Sequence, residues 1–256
     1  MISRKLNNWV AWAGALFAAL AHSACAGEVN AAVAANFTAP AEKIASLFTK
    51  QSGHTVKLSF GASGKLYAQI QNDAPFDVLL AADEKYPMLL EQQGLGVAGT
   101  RFVYAQGRLV LWSAQPGFVD ARGEVLRLGK YNKLAYADPK LAPYGQAAKQ
   151  ALDKLGLWNA VQGKLVTGES IAQTWQFAAS GNAEMAFIAL SQISNEGKVS
   201  DGSWWLVPSN LYNPIRQGAV LLSGAKDPAA ARAFLAFLKS DQAMAVIRSY
   251  GYESPR

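Results

Sequence analysis

Short apolar runs alternate along the chain with longer amphipathic segments. Residues 29–35 form an apolar run of strand length, and 40–51 put Ile44, Leu47 and Phe48 on one helical face. Pro40 suits the first turn of that helix and Gly53 its end. Residues 54–60 alternate as a strand does, 63–71 predict a helix, 77–80 a buried strand, and 84–93 a helix stopped by Gly94. Two strand-like stretches, 101–104 and 108–112, flank Gly107. The alternation then resumes, with strands at 133–137, 164–167 and 184–189. Helices over 143–155 and 170–180 separate them, and a short helix follows the last. Strands at 204–207 and 215–222 precede two closing helices, 228–239 and 241–250. Phe234, Leu235 and Leu238 give the first of these an apolar face.

Strands that alternate with helices predict an α/β fold, with mostly parallel sheets covered by helices on both faces. Right-handed crossovers then bring strand ends and helix starts to one edge of each sheet. The chain has no short-period repeat and no low-complexity linker. Two lobes, if the chain divides, are therefore joined by strands crossing between them and not by a tether.

Composition changes this picture mainly at the N-terminus. Arg4 and Lys5 precede an apolar stretch over 9–20, and Ala24-Cys25-Ala26 offers a small-residue cleavage site before Gly27. This reads as a secretory signal peptide over 1–26. An uncleaved anchor and lipidation at Cys25 are the alternatives, and His22 makes a poor lipobox. Cys25 is the only cysteine, so cleavage after Ala26 leaves neither thiolate chemistry nor a disulfide. The net charge of +6 is dispersed, and without Arg4 and Lys5 there are 22 basic against 18 acidic residues. Nucleic-acid binding wants a clustered basic footprint, and no such run exists.

In open α/β sheets, ligands bind beyond the carboxyl ends of the strands. Four strand-to-helix junctions look alike: Ala34-Ala35-Asn36-Phe37, Gly61-Ala62-Ser63-Gly64, Ala142-Pro143-Tyr144-Gly145 and Glu169-Ser170-Ile171-Ala172. The first N–H groups of a helix lack internal partners, and the helix dipole adds about half a positive charge there. An oxyanion can take up these donors without a formal counter-charge. Taken singly, Asn36 and Ser63 are expected to cap their own helices. Four such junctions in one chain raise the alternative that they face a ligand, with both side chains as donors.

These residues also carry a resemblance. Ala34-Ala35-Asn36-Phe37-Thr38, Gly61-Ala62-Ser63-Gly64-Lys65-Leu66-Tyr67, Asp77-Val78-Leu79-Leu80-Ala81-Ala82-Asp83, Gly107-Arg108-Leu109-Val110-Leu111-Trp112-Ser113 and Ala142-Pro143-Tyr144-Gly145 are similar to the periplasmic molybdate-binding proteins of ABC transporters. The resemblance spans essentially the whole mature chain. It implies a type II periplasmic-binding-protein fold, with lobe 1 over 27–105 plus 217–256, lobe 2 over 106–216, and two crossing strands. It implies that molybdate or tungstate is bound without a cofactor and without direct cation ligands, and delivered to an ABC membrane permease by a periplasmic monomer. Carried over by position, Asn36 and Ser63 donate through side chain and backbone, Tyr144 and Ile171 through backbone N–H groups, and Ala35 lines the site. Two positions depart from the family pattern. Many relatives have serine at Asn36, and some have a ligand-reaching tyrosine at Ala189.

Competing chemistry is thin. Ser59 and Leu66 break a phosphate-loop pattern around Gly61 and Lys65. Lys65 also breaks a G-x-S-x-G elbow at Ser63. His54, the one histidine beyond the leader, is expected at the surface, and Lys65 is expected to point outward. Another oxyanion such as sulfate, or a secreted serine hydrolase using Ser63, are the alternative functions. Trp175, one turn past Ile171, is placed to report on closure of a cleft.

Overall fold

The run from Glu28 to Ala34 is buried along nearly its whole length, as a strand covered on both faces must be. Around it the computed structural model, which describes residues 26–254, builds two five-stranded sheets and one two-stranded hairpin. The expected leader lies outside the described residues, save Ala26. In chain order the strands are β1 (Glu28–Ala34), β2 (Thr55–Gly61), β3 (Val78–Leu80), β4 (Phe102–Gly107), β5 (Leu109–Ser113), β6 (Leu134–Ala137), β7 (Leu165–Gly168), β8 (Met185–Ala189), β9 (Ser194–Asn195), β10 (Lys198–Val199), β11 (Ser203–Leu206) and β12 (Ile215–Leu221). The helices are α1 (Thr38–Ser52), α2 (Ser63–Gln71), α3 (Lys85–Gln92), α4 (Val125–Leu128), α5 (Pro143–Lys154), α6 (Trp158–Val161), α7 (Ile171–Ala179), α8 (Pro228–Leu238) and α9 (Asp241–Ser249).

One plan is used twice. The first sheet runs β2-β1-β3-β12-β4, and the second, read from its parallel edge, runs β7-β6-β8-β5-β11. β1 lies parallel to β2 and β3, and β6 parallel to β7 and β8. In each sheet one reversed strand follows, β12 or β5, paired antiparallel on both sides. The two-lobed α/β architecture expected from the sequence is therefore present. The chain passes from the first sheet to the second between Gly107 and Leu109. It returns between Leu206 and Ile215, through a 3-10 turn at Ser209–Leu211.

Local chemistry explains the helix limits. Gly53 adopts φ 75° and donates its N–H to Thr49 O at 2.9 Å, a left-handed stop for α1. Ser170, Asp227 and Ser240 cap α7, α8 and α9 by accepting from Gln173, Ala230 and Ala243. Pro143 and Pro228 occupy first-turn positions in α5 and α8. Where the pattern ran short, the elements are small. A 3-10 turn over Ala35–Phe37 brings the start of α1 forward to Thr38, before the expected Pro40. A β9–β10 hairpin turns through Glu196 (φ 52°) and Gly197 (φ 78°). The first sheet packs Phe37, Ile44, Phe234 and Leu238 on one face and Leu66, Leu79 and Leu90 on the other. The second sheet's main cluster, around Leu111, Leu134 and Phe187, continues across to Ala34, Ala35, Ala62 and Ala82. Small side chains of the first sheet's junctions thus meet the other half of the molecule.

Candidate functional site

The four junctions singled out in the sequence come together. Ala35, Asn36 and Ser63, from the ends of β1 and β2, face Tyr144 and Ile171, from the helices after β6 and β7, across one small cavity. Ala34, Gly61, Ala62, Ala82, Ala142 and Pro143 complete its wall. Its free volume is about 10 Å³, the space of roughly one water-sized sphere. Every lining residue is uncharged. Two larger clefts are present, one of about 280 Å³ beside Trp175 that shares Ala35 and Asn36 with the small cavity, and one of about 540 Å³ lined by the crossing stretches. What distinguishes the small cavity is that helix starts converge on it.

Neither Asn36 nor Ser63 caps a helix. The residue before α2 is Ala62, that before α1 is Phe37, and neither helix has a side-chain cap. Ser63 sits in the first turn of α2, and its Oγ accepts the N–H of Ala82 at 2.9 Å. That bond uses a lone pair and leaves the hydroxyl proton to be donated. Asn36 departs from expectation in a second way. Its Nδ2 donates to Gln217 Oε1 and to the Tyr252 hydroxyl, both at 2.9 Å. Both amide protons are therefore used inside the protein, and of Asn36's donors only the backbone N–H is left for a ligand. Its carbonyl is held as well, accepting from Ser191 Oγ and the Tyr252 hydroxyl, each at 2.8 Å.

These bonds belong to a buried network that the sequence did not reveal. Tyr104 donates to Gln217 Oε1 at 3.0 Å, and Gln217 Nε2 donates to the Tyr144 hydroxyl at 3.2 Å. Asn36, Tyr104, Gln217 and Tyr252 come from the first sheet and its helices, while Tyr144 and Ser191 come from the second. Burial holds the phenols of Tyr104 and Tyr144 well above their usual range and pushes Tyr252 up to about 12. All three remain protonated donors through the physiological range.

Contacts between the two halves flank the cavity. Gly64 donates its N–H to Leu141 O at 2.9 Å, and a Cβ at Gly64 would lie only 3.1 Å from that oxygen. Lys65 does point away from the cavity, as expected. It is not merely solvated, however, because it pairs with Glu169 of the opposite half at 2.5 Å. The same ammonium holds the Glu169 carboxyl below its usual range. Next to Ala82, burial raises the Asp83 carboxyl to about 6, although Tyr86 and Lys85 pull it back down. Ala189 is fully buried at the end of β8 and is absent from the cavity wall. His54 Nδ1 accepts the N–H of Gly27, at the far end of β2 from Ser63. Among the described residues no cluster of three His, Cys, Asp or Glu could hold a metal ion. No described helix is long and apolar enough to cross a membrane.

Known proteins share this fold and much of this sequence. A family model for bacterial extracellular solute-binding proteins matches residues 29–253. The molybdate-binding protein ModA of Azotobacter vinelandii is 56% identical over 91% of this chain and 92% of its own. That of Rhodobacter capsulatus is 52% identical over 93% of each. The solved structure of the Azotobacter vinelandii periplasmic molybdate-binding protein superposes with a TM-score of 0.87 at 42% identity, covering 89% of this chain and all of that one. With its fold and nearly its full described length matched, the chain belongs to the bacterial extracellular solute-binding protein family, in the branch that holds the molybdate-binding proteins.

Proposed function

We propose that the mature chain captures molybdate, and tungstate with it, in the cavity between its two sheets and hands it to the membrane permease of an ABC importer. The observation that carries this reading is the convergence of four strand-to-helix junctions on one uncharged cavity. Ser63 donates through its hydroxyl and backbone, and Asn36 through its backbone. Tyr144 and Ile171 donate N–H groups from the starts of α5 and α7, and Ala35 lines the floor. Each donor faces a dianion with its share of helix dipole and in a water-poor setting, where such bonds are strongest. A site of donors alone rejects an anion that brings its own proton, since that proton meets no acceptor. Size then ranks the deprotonated tetrahedral anions, because a smaller one leaves donors out of reach.

The two sheets act as lobes, 27–105 with 217–256 and 106–216, that open about the crossing stretches. The anion binds one lobe and recruits the helix starts of the other. Export by the leader delivers the protein to the periplasm as a soluble monomer. Binding and transfer, not catalysis, are its task. Ser63 has an N–H donor and no histidine beside it, which counts against a hydrolase.

Calorimetric titration of the mature protein with molybdate, tungstate and sulfate tests the reading. Molybdate and tungstate are expected to bind at about −8 to −12 kcal/mol, micromolar to nanomolar. A melting temperature that rises with ligand should accompany them. Heat with sulfate alone would rule out the molybdate assignment.

A further inference from the structure

Tyr144 contributes backbone to the cavity wall but sends its side chain elsewhere. The phenol is fully buried and ends on the first sheet, where Gln217 Nε2 donates to its oxygen at 3.2 Å and the Tyr252 phenol also interacts with it. Gly107 forms the seat beneath it. A Cβ at Gly107 would lie 2.0 Å from the Tyr144 oxygen, 2.9 Å from its Cζ and 2.9 Å from Gln217 Nε2. Gly107 is not among the residues with positive φ, so the site uses its lack of a side chain and not its backbone freedom. It is also the last residue of β4, where the chain leaves the first sheet for the second. The start of α5, which brings Ala142, Pro143 and Tyr144 to the cavity, is thus fastened to the crossing point by a flat ring of fixed length.

We infer that Tyr144 is a positioning residue whose phenol, seated on Gly107, sets the gap between the opposed helix starts and so the size of tetrahedral dianion the cavity accepts. The inference rests on the oxyanion reading above and deepens it. A rotatable aliphatic chain at this position would let α5 settle against anions of different radius. A ring held at its tip by Gln217 holds one spacing. Tightness and selectivity then become separable, because selectivity depends on where α5 stops and not only on how many donors it presents.

The test is titration of mature wild-type, Tyr144→Phe, Gly107→Ala and doubly substituted protein with molybdate, with sulfate measured by competition. Gly107→Ala displaces the phenol. It is expected to weaken molybdate binding by about tenfold or more and to shift the molybdate-to-sulfate Kd ratio by at least about fivefold. Tyr144→Phe alone shifts the ratio in the same direction by a smaller factor. In the Gly107→Ala background, Tyr144→Phe removes the closest clashing atom and recovers part of the molybdate affinity. If Gly107→Ala does not fold, the ratio in Tyr144→Phe decides. Variants that melt earlier but keep the wild-type ratio would overturn the inference and leave Tyr144 as packing alone. Wild-type protein that binds neither molybdate nor tungstate would instead overturn the functional reading on which the inference stands.

Discussion

The two halves of the molecule share a strand order yet treat their cavity-facing junctions differently. On the first side, the turn after β1 is fixed by buried side chains, with Asn36 bonded to Gln217 and Tyr252 and its carbonyl held by Ser191 and Tyr252. On the second side, the junction before α7 is fixed mainly by near neighbours in sequence: Ser170 Oγ accepts from Gln173 N, Ser170 O from Thr174 Oγ1, and Gln173 Oε1 from the N–H of the exposed Glu169, with Gln192 donating to Ile171 O. The first side is a platform whose shape is over-determined. The second is a simple helix start brought to it. For a protein that must release what it binds, this division has a use: the bonds from Asn36 to Gln217 and Tyr252 and from Tyr104 to Gln217 lie within the first half and persist when the halves part, while those from Ser191 and to Tyr144 cross between the halves and must break.

The largest effect expected from this difference is on stability. Gln217→Leu should cost about 2–4 kcal/mol, because it takes one buried hydrogen-bond partner each from Asn36, Tyr104 and Tyr144. Ser170→Ala, its counterpart on the second side, should cost only about 1 kcal/mol. Urea unfolding of both variants measures the gap, and equal losses would erase the distinction between platform and partner.

The next effect is on binding. Ile171 opens α7 as its first residue, and Ser170 before it is extended, so proline fits there without breaking the helix. Ile171→Pro removes one backbone donor and should weaken molybdate binding by about 1.5–3 kcal/mol. Ile171→Ala keeps the N–H and should stay closer to wild type in calorimetry. The reverse order would mean that the second side contributes side-chain packing, not backbone donors.

The smallest effect concerns the one carboxyl near the platform with a strongly raised pKa. Asp83 titrates near 6 in the folded protein against its ordinary 3.8. The folded state therefore binds the extra proton between those values, and stability falls as pH rises from about 4 to about 6. Asp83→Asn, which can still accept the N–H of Tyr86, should raise stability at pH 7 by on the order of 1–2 kcal/mol and flatten that slope. Thermal melts of both proteins across pH 4–8 check it.

Much of the fold was legible because its signals are local. Ser63, Pro143, Pro228 and Asp241 open the helices expected of them, and Gly53 closes the first. The four junctions could be read as a set because each repeats the same strand-to-helix chemistry, and the cavity brings them together. The polar network could not be read. Asn36 meets partners 181 and 216 positions away, and no spacing rule reaches that far. The only available signal was a glutamine inside the apolar run of β12. The capping roles expected of Asn36 and Ser63 failed for the same reason. Propensity describes what a side chain does with its neighbours in sequence, and these two are engaged by Gln217, Tyr252 and Ala82 from remote strands and ends.

The position of β12 has a consequence for how the chain reaches its finished state. It lies between β3 and β4, so two strands made early wait for one made near the end. Tyr252 completes the network later still, and Glu253 exchanges backbone hydrogen bonds with Gln106. The second sheet, by contrast, draws all its strands from the middle of the chain and can assemble first. Such distant pairings form slowly. On the export reading proposed above, a polypeptide emerging N-terminus first cannot complete its platform until nearly its last residue has appeared. The order of the strands thus delays completion of the first half, which favours a chain that must be threaded through a membrane before it folds.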